Sequence, residues 1–361
     1  MKNFFGSLTL GLVALFVFSP VAVQAAESVN VFYKAEVLSI ERSTPTPDQQ
    51  TEQTLSVKIL NGERQDETVQ VTHTVSPEYK NRLFERGDKV VIIETPGIDG
   101  PEFFITDHYR LPSLVVVVVI FLLIAVWFAR KRGAFAIVGL VIGIFILAGV
   151  VVPRITAGWN PLAIGIPGAL VISFISLYVA HGWNKKTHVA MVATLLSIAI
   201  AAVLSVVAVY VTQLFGFGSE DAQALQLAGQ RAIDLKGLLF VSIMIGVLGV
   251  LDDVTTALAA TVEEIHKANL RLSTKELYRR ALNVGREHIA SLINTLVFAY
   301  AGAAMPLFLL FSLDLQPFWV TLNSEFMAEE IVRTLVGSTA LVLAVPITAV
   351  IAARAYGKQQ K

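Results

Sequence analysis

Residues 238–264 read LLFVSIMIGVLGVLDDVTTALAATVEE. A run this long and apolar crosses a bilayer as a helix, because about 20 residues rising about 1.5 Å each span the hydrocarbon layer. Two adjacent carboxylates, Asp252 and Asp253, interrupt it. A charge in such a segment is expensive unless it has a partner or a task, so these residues dictate what the surrounding fold must supply. Counted from Leu238, Asp253 falls in the inner third of the membrane, where partial hydration lowers its cost. On a wheel of about 100° per residue, Ser242, Gly246, Gly249, Asp253, Thr256, Ala260 and Glu264 share one narrow arc, and Leu, Ile and Val fill the rest. Small residues so arranged admit a neighbouring backbone. Ser242, Gly246, Gly249 and Ala260 therefore read as a helix-packing seam, and Asp253 with Thr256 as a polar pathway or ion site within it; the two readings are compatible. Asp252 diverges from Asp253 by about 100°, points off the stripe, where it is expected to reach toward water, and cannot share a proton with Asp253 as an aspartic dyad does.

The next apolar run, about Ile289 to Phe311, carries the complementary groups. Glu287 and His288 stand at its start, followed by Ser291, Asn294 and Thr295, then Tyr300, Gly302 and Pro306. Asn294 is the natural hydrogen-bonding partner for Asp253, and Thr295 lies beside it; both also serve as glue between helices. Between the two runs, Ser273 and Glu276 have the spacing of a capping box, which predicts a short amphipathic helix in the basic loop 265–288.

Composition extends this locally read membrane character to the whole chain. With 55% hydrophobic and 16% charged residues and a mean hydropathy of +0.66, a soluble globule would expose a very large apolar surface. From Leu111 onward seven apolar segments follow, at about 112–129, 134–152, 161–180, 189–215, 238–260, 289–311 and 331–353. The Lys and Arg of alternate connections set their orientation. Arg130 to Arg132, Lys185 and Lys186, the cluster from Lys267 to Arg286, and the tail residues Arg354, Lys358 and Lys361 fall on one predicted side. Only Arg154, Arg231, Lys236 and Arg333 fall on the other. The carboxyl terminus is accordingly expected on the cytoplasmic side of the membrane. Trp127, Trp159, Trp183 and Trp319 lie near segment ends, where indole prefers the headgroup layer. The connection 216–237 interleaves acidic and amide side chains with Leu225, Leu227 and Ile233, which predicts a short surface helix.

Ahead of the bundle, residues 1–26 have the form of a secretory signal: Lys2, an apolar run from Phe4 to Phe18, Pro20, and small residues up to a cleavage point after Ala25. Residues 27–110 are then exported. They alternate β-branched runs with turn chemistry at Val31–Ile40, Leu55–Leu60, Thr68–Val75, Lys89–Glu94 and Phe103–Arg110, with Asn61-Gly62 as a hairpin-type turn. Five short strands predict a small all-β barrel of OB-like or SH3-like form, with His73 and His108 as surface histidines. The expected fold is thus a signal peptide (1–26), an extracytoplasmic β domain (27–110) and an all-α bundle of seven transmembrane helices (111–361).

Several kinds of chemistry are excluded or unsupported. Net charge is zero and no basic, aromatic-studded face stands out, which argues against nucleic acid. Cysteine is absent, so disulfides, thiolate nucleophiles and cysteine metal sites are impossible. No His-Glu-x-x-His pair, Gly-x-Ser-x-Gly elbow or phosphate-binding glycine loop occurs, so neither an enzyme nor a metal site is indicated, and the sequence leaves any cofactor open.

The chain resembles the YibE/F-like family of bacterial membrane proteins, from the exported domain through the last helix. The resemblance rests on His181-Gly182 with Lys185, Lys186, Thr187 and Ala190; on Gly246 and Gly249 followed by Asp252, Asp253, Val254 and Thr255; and on Gly285-Arg286-Glu287 leading to Asn294-Thr295 and Ala299 to Gly302. It implies the exported domain and the bundle, and carries no activity over to individual residues. The function expected is permease-like movement of a small solute or ion through a polar seam between the fifth and sixth helices, with Asp253, Asn294, Asp252, Thr256 and Thr295 lining it. The alternative is a non-transporting scaffold or sensor, embedded in the bilayer, whose exported domain binds a protein partner.

Overall fold

A computed structural model describes residues 31–45, 51–75, 83–97, 100–228, 233–303, 305–313 and 317–357. The predicted signal peptide, Pro47, Arg231, Lys358 and Lys361 lie outside the described residues. The chain divides into two compact units between Ala125 and Val126.

The first unit contains β1 (Val31–Pro45), β2 (Thr51–Ile59), β3 (Thr68–Val75), β4 (Lys89–Pro96) and β5 (Pro101–His108), in the antiparallel order β3-β2-β1-β4-β5. Alternation creates its core: Tyr33, Ala35 and Val37 of β1 face Leu55, Val57 and Ile59 of β2 and Val90 and Ile92 of β4, all buried, while intervening positions point outward. β3 also approaches β5, so the sheet is a near-barrel, as expected. Two expectations need correction. The β2–β3 connection spans residues 60–67 and is no two-residue hairpin: Asn61 Oδ1 instead accepts from Lys34 N at 2.6 Å, and Gly62 takes a φ of 83° against the Tyr33 ring. His73 and His108 are half-buried rather than surface residues, because both rings pack on Phe84 at centroid distances of 4.8 and 4.6 Å where β3 nears β5. Gln53 holds that Phe84 by both its backbone groups, accepting from its N at 3.0 Å and donating to its O at 3.3 Å.

The helical elements are α1 (Leu111–Ile146), a π-helical turn (Leu147–Val151), α2 (Val152–Thr156), α3 (Pro161–His181), α4 (Lys185–Val211), α5 (Glu220–Ala228), α6 (Leu235–Ala268), α7 (Thr274–Ala303), α8 (Met305–Leu313), α9 (Phe318–Asn323) and α10 (Glu325–Tyr356). Among the described residues five helices are long and apolar enough to cross a membrane: Leu111–Thr156, α3, α4, α6 and α10. The count of seven segments is not reproduced, for two local reasons. The first two merge into one helical stretch of 46 residues, broken only at Arg130, whose φ of 52° and ψ of −134° leave the helical region. The sixth falls across α7 and α8, and residue 304 between them lies outside the described residues.

In the second unit α4, α6 and α10 pack on one another, with α3 against α6 and α7 against α10. Their contacts are made by residues such as Ala201, Ile243, Leu251, Ala340 and Ala344, and, nearer the other end, Val254, Leu258, Ala281, Leu341 and Ala349. α7 differs from its prediction. Ser273 Oγ accepts from Glu276 N at 3.3 Å as the capping pattern requires, but the amphipathic helix does not stop in the loop; it runs on into the apolar segment as one helix. Gly285 lets this helix lie close against α10, because a β-carbon there would collide with the side chain of Val345. The opposite end is tied by the first turn of α10. Glu325 Oε1 accepts from the backbone N–H groups of Phe215, Gly216 and Phe217 at 2.6, 2.9 and 3.3 Å, and Glu329 Oε1 from that of Gly218 at 2.9 Å. Those four donors follow the end of α4, and the expected short helix, α5, comes next.

Candidate functional site

α6 starts where Asp234 Oδ1 accepts from Gly237 N at 2.9 Å, and the apolar run behind that cap contains no proline to stop it. Its inward face is Leu251, Val254, Thr255, Leu258, Ala259 and Val262, all buried. The stripe of small residues is a different face and is only partly covered. Gly249 and Asp253 are exposed, and Ser242, Gly246, Thr256 and Ala260 are half-buried. A β-carbon on Gly246 would stand 3.2 Å from the Tyr300 hydroxyl of α7, so this glycine does meet the sixth segment; one on Gly249 would meet nothing within 4 Å. Ser242 satisfies its hydroxyl locally, donating to Leu239 O at 2.7 Å.

Asp252, the carboxylate expected to point off the stripe, is the one turned among the helices. Ser173 Oγ of α3 donates to its Oδ1 at 3.0 Å, and the Thr194 hydroxyl of α4 also reaches its carboxylate. Thr194 Oγ1 and Thr255 Oγ1 lie 2.7 Å apart in a fully buried pair between α4 and α6. Thr255 and Thr256 further donate to Asp252 O at 3.3 and 2.7 Å. Carboxylate and hydroxyls from three helices thus meet in one interior network, and the Ser173 and Thr194 hydroxyls offset part of the cost of taking the carboxylate out of water. One turn along α4 from Thr194, the buried Ser197 hydroxyl has no hydrogen-bond partner among the described residues.

Asp253 opens on a cavity of about 450 Å³, a size that suits a small ligand. The other polar walls are Arg132, just beyond the break in α1; His181, the last residue of α3; Lys186 and Thr187, in the first turn of α4; Thr256 of α6; and His288 of α7. Ala190, Ala257 and Ala260 complete it, their short side chains leaving the space. Local sequence builds the corner at His181. Gly182 adopts a φ of 74°, Asn184 Nδ2 donates to His181 O at 2.6 Å, and Asn184 Oδ1 accepts from both Thr187 N and Thr187 Oγ1 at 3.0 and 3.1 Å, capping α4. Trp183 stacks on Tyr178 with ring centroids 4.3 Å apart, and Tyr178 Oη lies 2.7 Å from His188 Nδ1, which holds the turn from behind. Lys186 Nζ stands 3.5 Å from Glu263 Oε2 of α6, an ion pair outside the cavity lining.

Asn294 and Thr295 are placed differently from Asp253's surroundings. Both are exposed, Thr295 Oγ1 returns to Ser291 O at 3.1 Å, and among the described residues no hydrogen bond joins Asn294 to Asp253. The groups facing Asp253 electrostatically are His181 and His288. Sequence reasoning assigned no place in the site to Ser173, Thr194 or His181, and read Arg132 only as an orientation signal. The first two are lone hydroxyls in apolar runs, a weak signal; the third belongs to the His181-Gly182 to Thr187 stretch that carried the family resemblance. Among the described residues no cluster of histidine and carboxylate side chains is suited to hold a metal ion.

Neither a curated protein nor a solved structure matches the chain. The N-terminal domain model of the YibE/F family matches residues 32–99, covering most of the five-stranded unit. The model for YibE/F-like protein matches residues 117–358, which hold the buried Asp252 network and the whole cavity lining. The chain belongs to the YibE/F-like protein family, as a membrane protein with an all-β amino-terminal domain.

Proposed function

We propose that this protein is a permease-like carrier of a small solute or ion in the bacterial cytoplasmic membrane, and that it carries out no covalent chemistry. The observation that carries the reading is Asp253 lining a cavity of about 450 Å³ within a bundle of membrane-length helices. An ionisable side chain facing a cavity at membrane depth marks substrate and ion pathways, and the adjacent Asp252 ties the same helix to α3 and α4. The pathway runs along the half-open face of α6, past Thr256 and Ala260, with α7 as its far wall. Asn294 and Thr295 are exposed on α7 and available to a solute passing farther along. Uptake by purified protein in liposomes tests this against a panel of anions, cations and neutral solutes. Asp253→Asn is expected to fold normally and lose at least tenfold in initial rate; uptake of nothing in the panel overturns the reading.

A second reading, a scaffold or sensor whose exported β domain binds a protein partner, is favoured by one observation. Phe32, Ile93 and Phe104 stand side by side across β1, β4 and β5, and both phenylalanines are about half exposed. On that reading Phe32→Ser abolishes the cellular phenotype and Asp253→Asn leaves it intact; the permease reading requires the reverse.

A further inference from the structure

We propose that the cavity binds an anion of the phosphate or carboxylate class, either free or carried on a lipid headgroup; this names the ligand of the site above and rests on that reading only for its role in transport. Charge complementarity is the argument. Arg132 and Lys186 are basic side chains, and His181 and His288 add two imidazoles, against one carboxylate, Asp253. The cavity also receives the amino-terminal turn of α4, a helix of 27 residues, through Lys186 and Thr187. Partial positive charge at a helix start reinforces attraction for an anion.

Basic residues at the ends of membrane helices commonly serve only as orientation signals, which requires no convergence. Here five separate elements, α1, α3, α4, α6 and α7, deliver their side chains to one hollow. Among the described residues no carboxylate pairs with Arg132, and Lys186 meets Glu263 at 3.5 Å, too far for a tight charge-assisted bond, so both retain donors for a ligand. The guanidinium suits a planar or tetrahedral oxyanion. Asp253 opposes the anion and sets the sign of the discriminating test.

The test is equilibrium binding of inorganic phosphate and acetate, with tetramethylammonium as the cationic control, to the purified full-length protein in neutral detergent, followed by calorimetry. A parallel arm compares thermal stability in nanodiscs of phosphatidylcholine with and without phosphatidylglycerol. Phosphate or acetate is expected to bind. Arg132→Gln and Lys186→Gln should weaken binding at least tenfold, Arg132→Lys should restore part of it, and Asp253→Asn should tighten it several-fold by removing a like charge. If only phosphatidylglycerol stabilises the protein, and Arg132→Gln removes the effect, the anion is a lipid headgroup. Loss of binding in Asp253→Asn, binding of tetramethylammonium alone, or indifference to Arg132→Gln overturns the inference. Binding is read without transport, so the two readings separate: phosphate bound but not moved removes the permease, and cation uptake without anion binding removes only this inference.

Discussion

Asp252 and Asp253 show how far one residue step on a helix separates two fates. A turn of about 100° sends one carboxylate into a network with Ser173 and Thr194 and the other to the wall of a cavity. Both were legible as the residues to explain. Which of them faces inward was not, because a wheel drawn on one helix ranks faces by composition, and the small, polar face was taken for the packed one. The packed face is instead apolar with Thr255 embedded in it, since a single hydroxyl paired to Thr194 at 2.7 Å is cheap to bury. A double-mutant cycle in detergent measures the difference. Ser173→Ala with Asp252→Leu is expected to give a coupling energy of about 0.6 to 1.7 kcal/mol, the range of interhelical hydrogen bonds in membrane proteins. Asn294→Ala with Asp253→Asn is expected to give none, because no bond joins that pair; coupling in the second cycle and its absence in the first would restore the seam as drawn from sequence.

Whole elements were easier to find than their ends and contacts. Strand alternation and long apolar runs locate β1 to β5 and the middles of α3, α4, α6 and α10, since each pattern repeats over many positions. What one sequence does not separate is a glycine that admits a neighbour from one that faces open space. Gly285 and Gly249 both lie inside long helices, yet only the first stands against another helix. Gly285→Ala should therefore cost about 1–3 kcal/mol by overpacking against Val345, and Val345→Ala should recover most of it. Gly249→Ala should be neutral or stabilising by up to about 1 kcal/mol, the helix preference of alanine over glycine; thermal unfolding in detergent reads all three. The start of α7 responds to pH as well. Arg279 and Arg280 hold the Glu276 carboxyl below its ordinary value. A carboxylate whose folded value is depressed stabilises the folded form above its unfolded value of about 4.3, and the contribution disappears as pH falls through the folded value. Amide protection in the first turn of α7, corrected for intrinsic exchange, should hold from neutral pH down to about 5 and drop below about 4, and Glu276→Gln should remove that dependence.

At the scale of the molecule, positive charge is sorted to one end of the helical unit, and tertiary contacts prove that the sorted residues are neighbours. Lys186 at the start of α4 pairs with Glu263 near the end of α6, and Lys185 lies over the Tyr356 ring at the end of α10, 4.6 Å from its centroid. Arg132 and His288 reach the same region through the cavity, while the Glu325 and Glu329 ties occupy the other ends of α4 and α10. A bilayer with its anionic leaflet and membrane potential on the cytoplasmic side would orient this unit with the basic end inward. The chain contains no cysteine, so each introduced thiol is a single reporter. Thr72 on β3, Asp221 on α5 and Arg271 between α6 and α7 are all exposed, so their replacement leaves both cores intact. In intact spheroplasts a membrane-impermeant maleimide should label Thr72→Cys and Asp221→Cys, and should label Arg271→Cys only after the membrane is opened. Labelling of Arg271→Cys in intact cells together with protection of Asp221→Cys would invert the bundle and put the cavity with Arg132 and Asp253 on the extracytoplasmic side. Protection of Thr72→Cys alone would leave the bundle as oriented here and remove the export of the β domain.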